Sequence, residues 1–131
     1  MSVRKLALRT SLGRARGLGS ARVGVEHWWL ERLLAIALVP LMLWFAFAVA
    51  ARTGADHGAV VEWIGSPLNT VLMILMIGAA FRHGQIGLCN VIEDYVKIER
   101  VRFALVLLVQ FAAAALGLAS IIAVLKIAVG G

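Results

Sequence analysis

The sequence predicts an all-α membrane protein built on three transmembrane helices. Of its 131 residues 62% are apolar, and they fall into three long runs instead of alternating with polar positions. A soluble domain of this size keeps about half its residues apolar and hides them in one core. Runs of about 20 apolar residues match instead the ~30 Å hydrocarbon layer of a bilayer. The chain divides into a basic N-terminal segment, 1–28, and a membrane domain, 29–131, with spans at about 29–51, 67–95 and 103–129.

In the leader, Arg4, Lys5, Arg9, Arg14, Arg16 and Arg22 all precede the first acid, Glu26. Beside a membrane span such a segment faces anionic lipid headgroups or a soluble partner, and nucleic acid is not expected. It is not a secretory signal, because a long polar stretch comes before the first apolar run. Its Arg/Ser-rich, acid-poor composition is also that of a mitochondrial presequence. The mitochondrial inner membrane therefore stands as the alternative address to a bacterial inner membrane.

The first span has "LLAIALVPLMLWFAFAVAA" as its apolar body, and Pro40 marks a place for a kink. The second opens on Ser66 and Pro67, a serine N-cap followed by proline at the first helical position, where the missing N–H costs nothing. It then runs without a breaker into "RHGQIGLCNVIEDYV". The third carries Lys126 near its far end, placed to snorkel to the interface.

Basic residues favour the inner side of a membrane. The leader is rich in them, and the second loop holds Lys97, Arg100 and Arg102, whereas the first loop sets Arg52 against Asp56 and Glu62. This places the N-terminus and second loop inside, and the first loop and C-terminus outside. Trp28, Trp29 and Trp63 at the boundaries fit an aromatic belt. Ala112 to Ala115, Gly117, Ala119 and Ser120 offer a surface of small residues for a helix of a partner subunit. His57 falls in the outer loop, where it is expected to be solvated. Cys89, the single cysteine, reads as a packing residue because no metal-type spacing surrounds it.

Ionisable residues inside a span are costly and are functional candidates by default. Arg82 and His83 are such residues. On a helix, His83 shares its face with Ala79, Ala80, Ile86 and Gly87, a side-chain-poor surface on which a flat macrocycle ligated by imidazole can lie. A histidine hydrogen-bonded across a helical bundle explains the same pattern. Asp94 lies eleven residues beyond His83, on the same face and about 16 Å away, and Tyr95 is turned by roughly 100° from it. A phenol that donates to a carbonyl and a carboxylate that relays a proton suit a quinone headgroup. The plain alternative is a helix end whose Asp and Tyr sit among lipid headgroups.

"HGQIGLCNVIEDYVK" resembles the signature of the hydrophobic, D-type membrane-anchor subunit of succinate dehydrogenase, respiratory complex II. His83, Gly87, Asp94, Tyr95, Val96 and Lys97 stand in that family's order, and the resemblance extends from about Gly19 onward. It implies that His83 is one axial ligand of a b-type haem, shared with a C-type cytochrome b anchor subunit. It further implies that Tyr95 hydrogen-bonds ubiquinone, with Asp94 beside it in the proton route, near the docking iron-sulfur subunit. The stretch "GSARVGVEHWWLER" supplies Gly19, Ser20, Ala21, Gly24 and Arg32, with Arg32 matched to a haem propionate or else a snorkelling arginine. Some relatives have a histidine six residues before that arginine; here Glu26 stands there and His27 is one place nearer, so His27 is assigned only to the haem edge or quinone region. Arg82 has no counterpart in the motif.

The expected role is a non-catalytic anchor of succinate:ubiquinone oxidoreductase. Succinate oxidation needs a flavin, and the chain has no dinucleotide fingerprint, so that chemistry belongs to a flavoprotein subunit. A quinol:fumarate reductase anchor and a haem-free transport or accessory subunit are the alternatives.

Overall fold

A computed structural model of the chain describes residues 21–130, with side chains from Gly24 onward. Arg4, Lys5, Arg9, Arg14 and Arg16 of the leader, with Gly19 and Ser20 of the approach to the first span, lie outside the described residues, whereas the backbone of Arg22 belongs to the first helix. The described residues form four helices in order: α1 (Ala21–Ala50), α2 (His57–Gly65), α3 (Pro67–Tyr95) and α4 (Glu99–Ala128). Of these, α3, α4 and Gly24–Ala50 of α1 are long and apolar enough to cross a membrane. The helices outrun the apolar runs at their ends. α1 starts at Ala21 and α4 at Glu99, because hydropathy marks the part that lies in lipid, whereas hydrogen bonding carries a helix on through charged residues such as Arg100 and Arg102. α1 continues through Pro40, whose missing N–H leaves the Ile36 carbonyl without its partner in the ladder.

The chain forms two units that meet within α1, after Leu33. In the first, Trp28 and Trp29 stand edge to face with centroids 5.4 Å apart. In the second, Leu34, Ala35, Leu38, Leu41, Trp44, Phe45 and Ala48 form a half-buried stripe along the rest of α1. Their three- and four-residue spacing puts them on one helix face, and the opposite face is bare.

The first loop is ordered by α2. Asp56 caps it, its Oδ1 accepting from the Ala59 amide at 2.9 Å. His57, the first residue of this helix, is exposed, as expected for a solvated side chain. Trp63 of α2 lies between Trp44, 6.0 Å between centroids, and the Arg52 guanidinium, 4.4 Å above its ring.

At the corner into α3, Ser66 is extended and Pro67 takes the first helical position. The Ser66 hydroxyl makes no capping bond, contrary to the sequence expectation. The reason lies in the carbonyls α2 leaves open. Asn69 Nδ2 donates to Trp63 O at 2.9 Å, and Thr70 Oγ1 donates to Ile64 O at 2.8 Å and Ser66 O at 3.0 Å. The polar work at this corner is done from inside α3.

α3 and α4 run antiparallel across a three-residue link. Gly65 approaches the backbone of Ile127 and Ala128, and Gly117 approaches Phe81. Among the described residues burial is confined to Thr70, Met73, Met76, Ile86, Gly117 and Val124. Many large apolar side chains of the described residues are exposed, as suits lipid or partner helices.

Candidate functional site

The candidate site is the second half of α3. His83 is half-buried, and its Nδ1 is enclosed with no hydrogen-bond partner among the described residues. A Cβ built at Gly84 or Gly87 would meet nothing within 4 Å, so the helix surface beside the imidazole is open. Ala80 and Gly84 extend it into an apolar groove of about 390 Å³, walled across by Ala112 and Leu116 of α4.

An imidazole on a flat, side-chain-poor surface fits the axial position of a haem. The described residues hold no cluster of His, Cys, Asp or Glu that would bind a bare metal ion.

Asp94 and Tyr95 end α3 about three helical turns beyond His83. Both are exposed, Tyr95 at 79%. Among the described residues no pocket is built around this phenol. Beside them, Glu93, Glu99, Arg100 and Arg102 line an open groove of about 620 Å³ with charges of both signs. The structure brings Asp94 and Tyr95 together at one helix end and leaves His83 well below them.

Arg32 lies over the Trp28 ring, 5.4 Å from its centroid, and His27 is exposed. Cation–π stacking uses the face of the guanidinium, so its in-plane N–H groups stay available to an anion.

Two features escaped sequence reading. Arg82 Nη1 donates to Gln85 Oε1 at 2.9 Å, a pair whose three-residue spacing was there to be read. Part of the small-residue stripe of α4 is already used: Gly117 is buried against Phe81 of the same chain, which periodicity within a single helix does not reveal.

Residues 7–117 match the family described as succinate dehydrogenase/fumarate reductase transmembrane subunit. The succinate dehydrogenase hydrophobic membrane anchor subunit of Rickettsia bellii is 29% identical over 102 residues, covering 78% of this chain and 82% of the relative. The succinate dehydrogenase membrane anchor subunit of Reclinomonas americana is 31% identical, covering 66% of this chain and 75% of its own. The anchor subunit of Paracoccus denitrificans is also 31% identical, over 62% of this chain and 63% of the relative. With most of its length matched and three apolar helices of spanning length, the chain belongs to the succinate dehydrogenase/fumarate reductase transmembrane subunit family, as a hydrophobic membrane anchor of succinate dehydrogenase.

Proposed function

We propose that this anchor shares a b-type haem through His83 and contributes Tyr95 and Asp94 to the site where ubiquinone is reduced. The observation that carries the reading is the arrangement of α3: an imidazole with an open surface beside it, and a bare phenol and carboxylate three turns on. The haem, when bound, supplies a one-electron carrier near the quinone.

The chain's own residues have distinct tasks. Tyr95 O–H donates to a quinone carbonyl, which polarises it and fixes its orientation. Asp94, exposed at the same helix end, passes protons from water to the reduced oxygens, since quinone takes up two protons with two electrons. Arg32 offers its in-plane N–H groups to a haem propionate while stacked on Trp28, and His27 lies toward the haem edge or quinone region.

A C-type cytochrome b anchor subunit would supply the haem's other ligand. Electrons arrive from an iron-sulfur subunit, itself supplied by a flavoprotein subunit that oxidises succinate. The complex lies in a bacterial inner membrane, with the N-terminus and the loop around Lys97 to Arg102 inside, following the charge bias. Relatives in Rickettsia and Paracoccus support this address. The family description also names fumarate reductase, so the same architecture run from quinol to fumarate is the second reading. Rates in both directions separate the two.

Tyr95→Phe tests the quinone assignment. Ubiquinone reduction should fall at least tenfold, while the complex assembles and oxidises succinate with an artificial acceptor at the normal rate. Wild-type ubiquinone turnover in that variant would remove Tyr95 from the site.

A further inference from the structure

Arg82 is the residue that the quinone and haem assignments leave unused. It is exposed, fifteen residues into α3 from Pro67 and thirteen short of Tyr95. That is about 20 Å from either helix end, so the charge is carried well inside the span. Its one hydrogen bond among the described residues goes to Gln85, which uses one of five guanidinium N–H groups.

We propose that the α3 flank carrying Arg82 and Gln85 is the docking seam for a transmembrane helix of another subunit, one that presents a carboxylate at the depth of Arg82. Gly78, Arg82, Gln85, Cys89 and Ile92 recur at spacings of four and three, the pattern of a single helix-packing face. Beside Arg82 runs an open groove of about 230 Å³, floored by Gly78 of α3 and by Ala113, Ala114 and Gly117 of α4. A Cβ at Gly78 would meet nothing within 4 Å, so a second backbone can approach closely there.

Charge selects the occupant. The seven acids of the chain are Glu26, Glu31, Asp56, Glu62, Glu93, Asp94 and Glu99, and none stands in α3 before Glu93, about 16 Å from Arg82. A second copy of this chain, lying parallel in the membrane, would bring another arginine and no carboxylate at this depth. A lipid phosphate sits in the headgroup layer, whereas Gln85 holds the guanidinium within the span. A haem propionate beside His83 is on the wrong side, because Gln85 lies roughly 160° around the helix from His83 and draws the guanidinium with it. A carboxylate on a partner helix meets the remaining N–H groups as a fork. The inference rests on assembly into a multi-subunit complex and is independent of the haem and quinone roles.

The test uses the intact complex in native membranes. A small diazirine amino acid encoded at position 89, on the seam, is photolysed and its adducts are mapped by mass spectrometry, with position 91 on the opposite side for comparison. The expected adduct at 89 is a transmembrane segment of another subunit that carries Asp or Glu level with Arg82, and position 91 yields a different segment or none. Arg82→Leu should lower recovery of the intact complex from mild detergent about tenfold, and Arg82→Lys should restore most of it. The proposal is overturned by an adduct with lipid alone, with another copy of this chain or with a segment lacking an acid, by the same segment from both positions, or by full recovery of the Arg82→Leu complex. Should Arg82→Leu fail to insert, the adduct map of the Arg82-containing chain still decides.

Discussion

Gly117 of α4 and Phe81 of α3 set how closely the two long helices approach: a Cβ at position 117 would lie 3.3 Å from both Cβ and Cγ of Phe81. The contact falls at the root of the phenylalanine, where rotation about χ1 gives no relief. Gly117→Leu should therefore destabilise the α3–α4 pair by about 1–3 kcal/mol, the usual cost of overpacking. Thermal unfolding of the purified complex in detergent reads this, and adding Phe81→Ala should recover part of the loss.

His83→Ala removes the imidazole whose enclosed Nδ1 has no partner among the described residues. A reduced-minus-oxidised spectrum of the purified complex should lose its b-type band, while helical circular dichroism stays close to wild type. A band of wild-type intensity in the variant would place the iron ligand elsewhere. A wild-type complex with no b-type band at all would rule out haem at this site.

The architecture was legible in the sequence because each span is set by a single property, a run of apolar residues long enough for lipid, and the structure has its long helices where those runs lie. The positions of His83, Asp94 and Tyr95 on one helix also followed from spacing, since nothing interrupts α3 between them. Pairings between elements were not legible. Trp63 with Trp44 and Arg52, and Gly117 with Phe81, depend on how helices dock, and an apolar helix that is nearly uniform around its circumference gives little sign of which face turns inward. Ser66 shows the same limit locally. Its position at the helix start was readable, but the helix-end carbonyls were met by Asn69 and Thr70, whose task exists only because α2 stops two residues earlier.

Thr70→Val tests that corner. The hydroxyl bridges Ile64 O and Ser66 O from a buried position, and valine keeps the shape while leaving the Ile64 carbonyl with one donor fewer. A cost of about 1–2 kcal/mol is expected, the range for a buried polar group that loses its partner. Hydrogen exchange at the amides of α2 and the first turn of α3 should accelerate, with the middle of α3 unaffected.

Trp63 joins α2 to α1 and to the start of the turn that follows it. Its ring meets Trp44 at 6.0 Å and lies 4.4 Å beneath the Arg52 guanidinium, which is itself held by a 2.8 Å bond from Nη1 to Ala48 O. The aromatic pair is worth about 0.5–1.5 kcal/mol beyond burial. The cation–π contact adds roughly 0.5–1 kcal/mol. Trp63→Ala loses both and should lower stability by about 1–2.5 kcal/mol, whereas Arg52→Lys, which keeps a cation but gives up the planar stack, should lose less than half of that. Because the cluster sits at the opposite end of α3 from Asp94 and Tyr95, both variants should keep wild-type ubiquinone turnover at low temperature. A turnover defect without a stability defect in Trp63→Ala would show that this end of the bundle takes part in electron transfer and is more than a clasp.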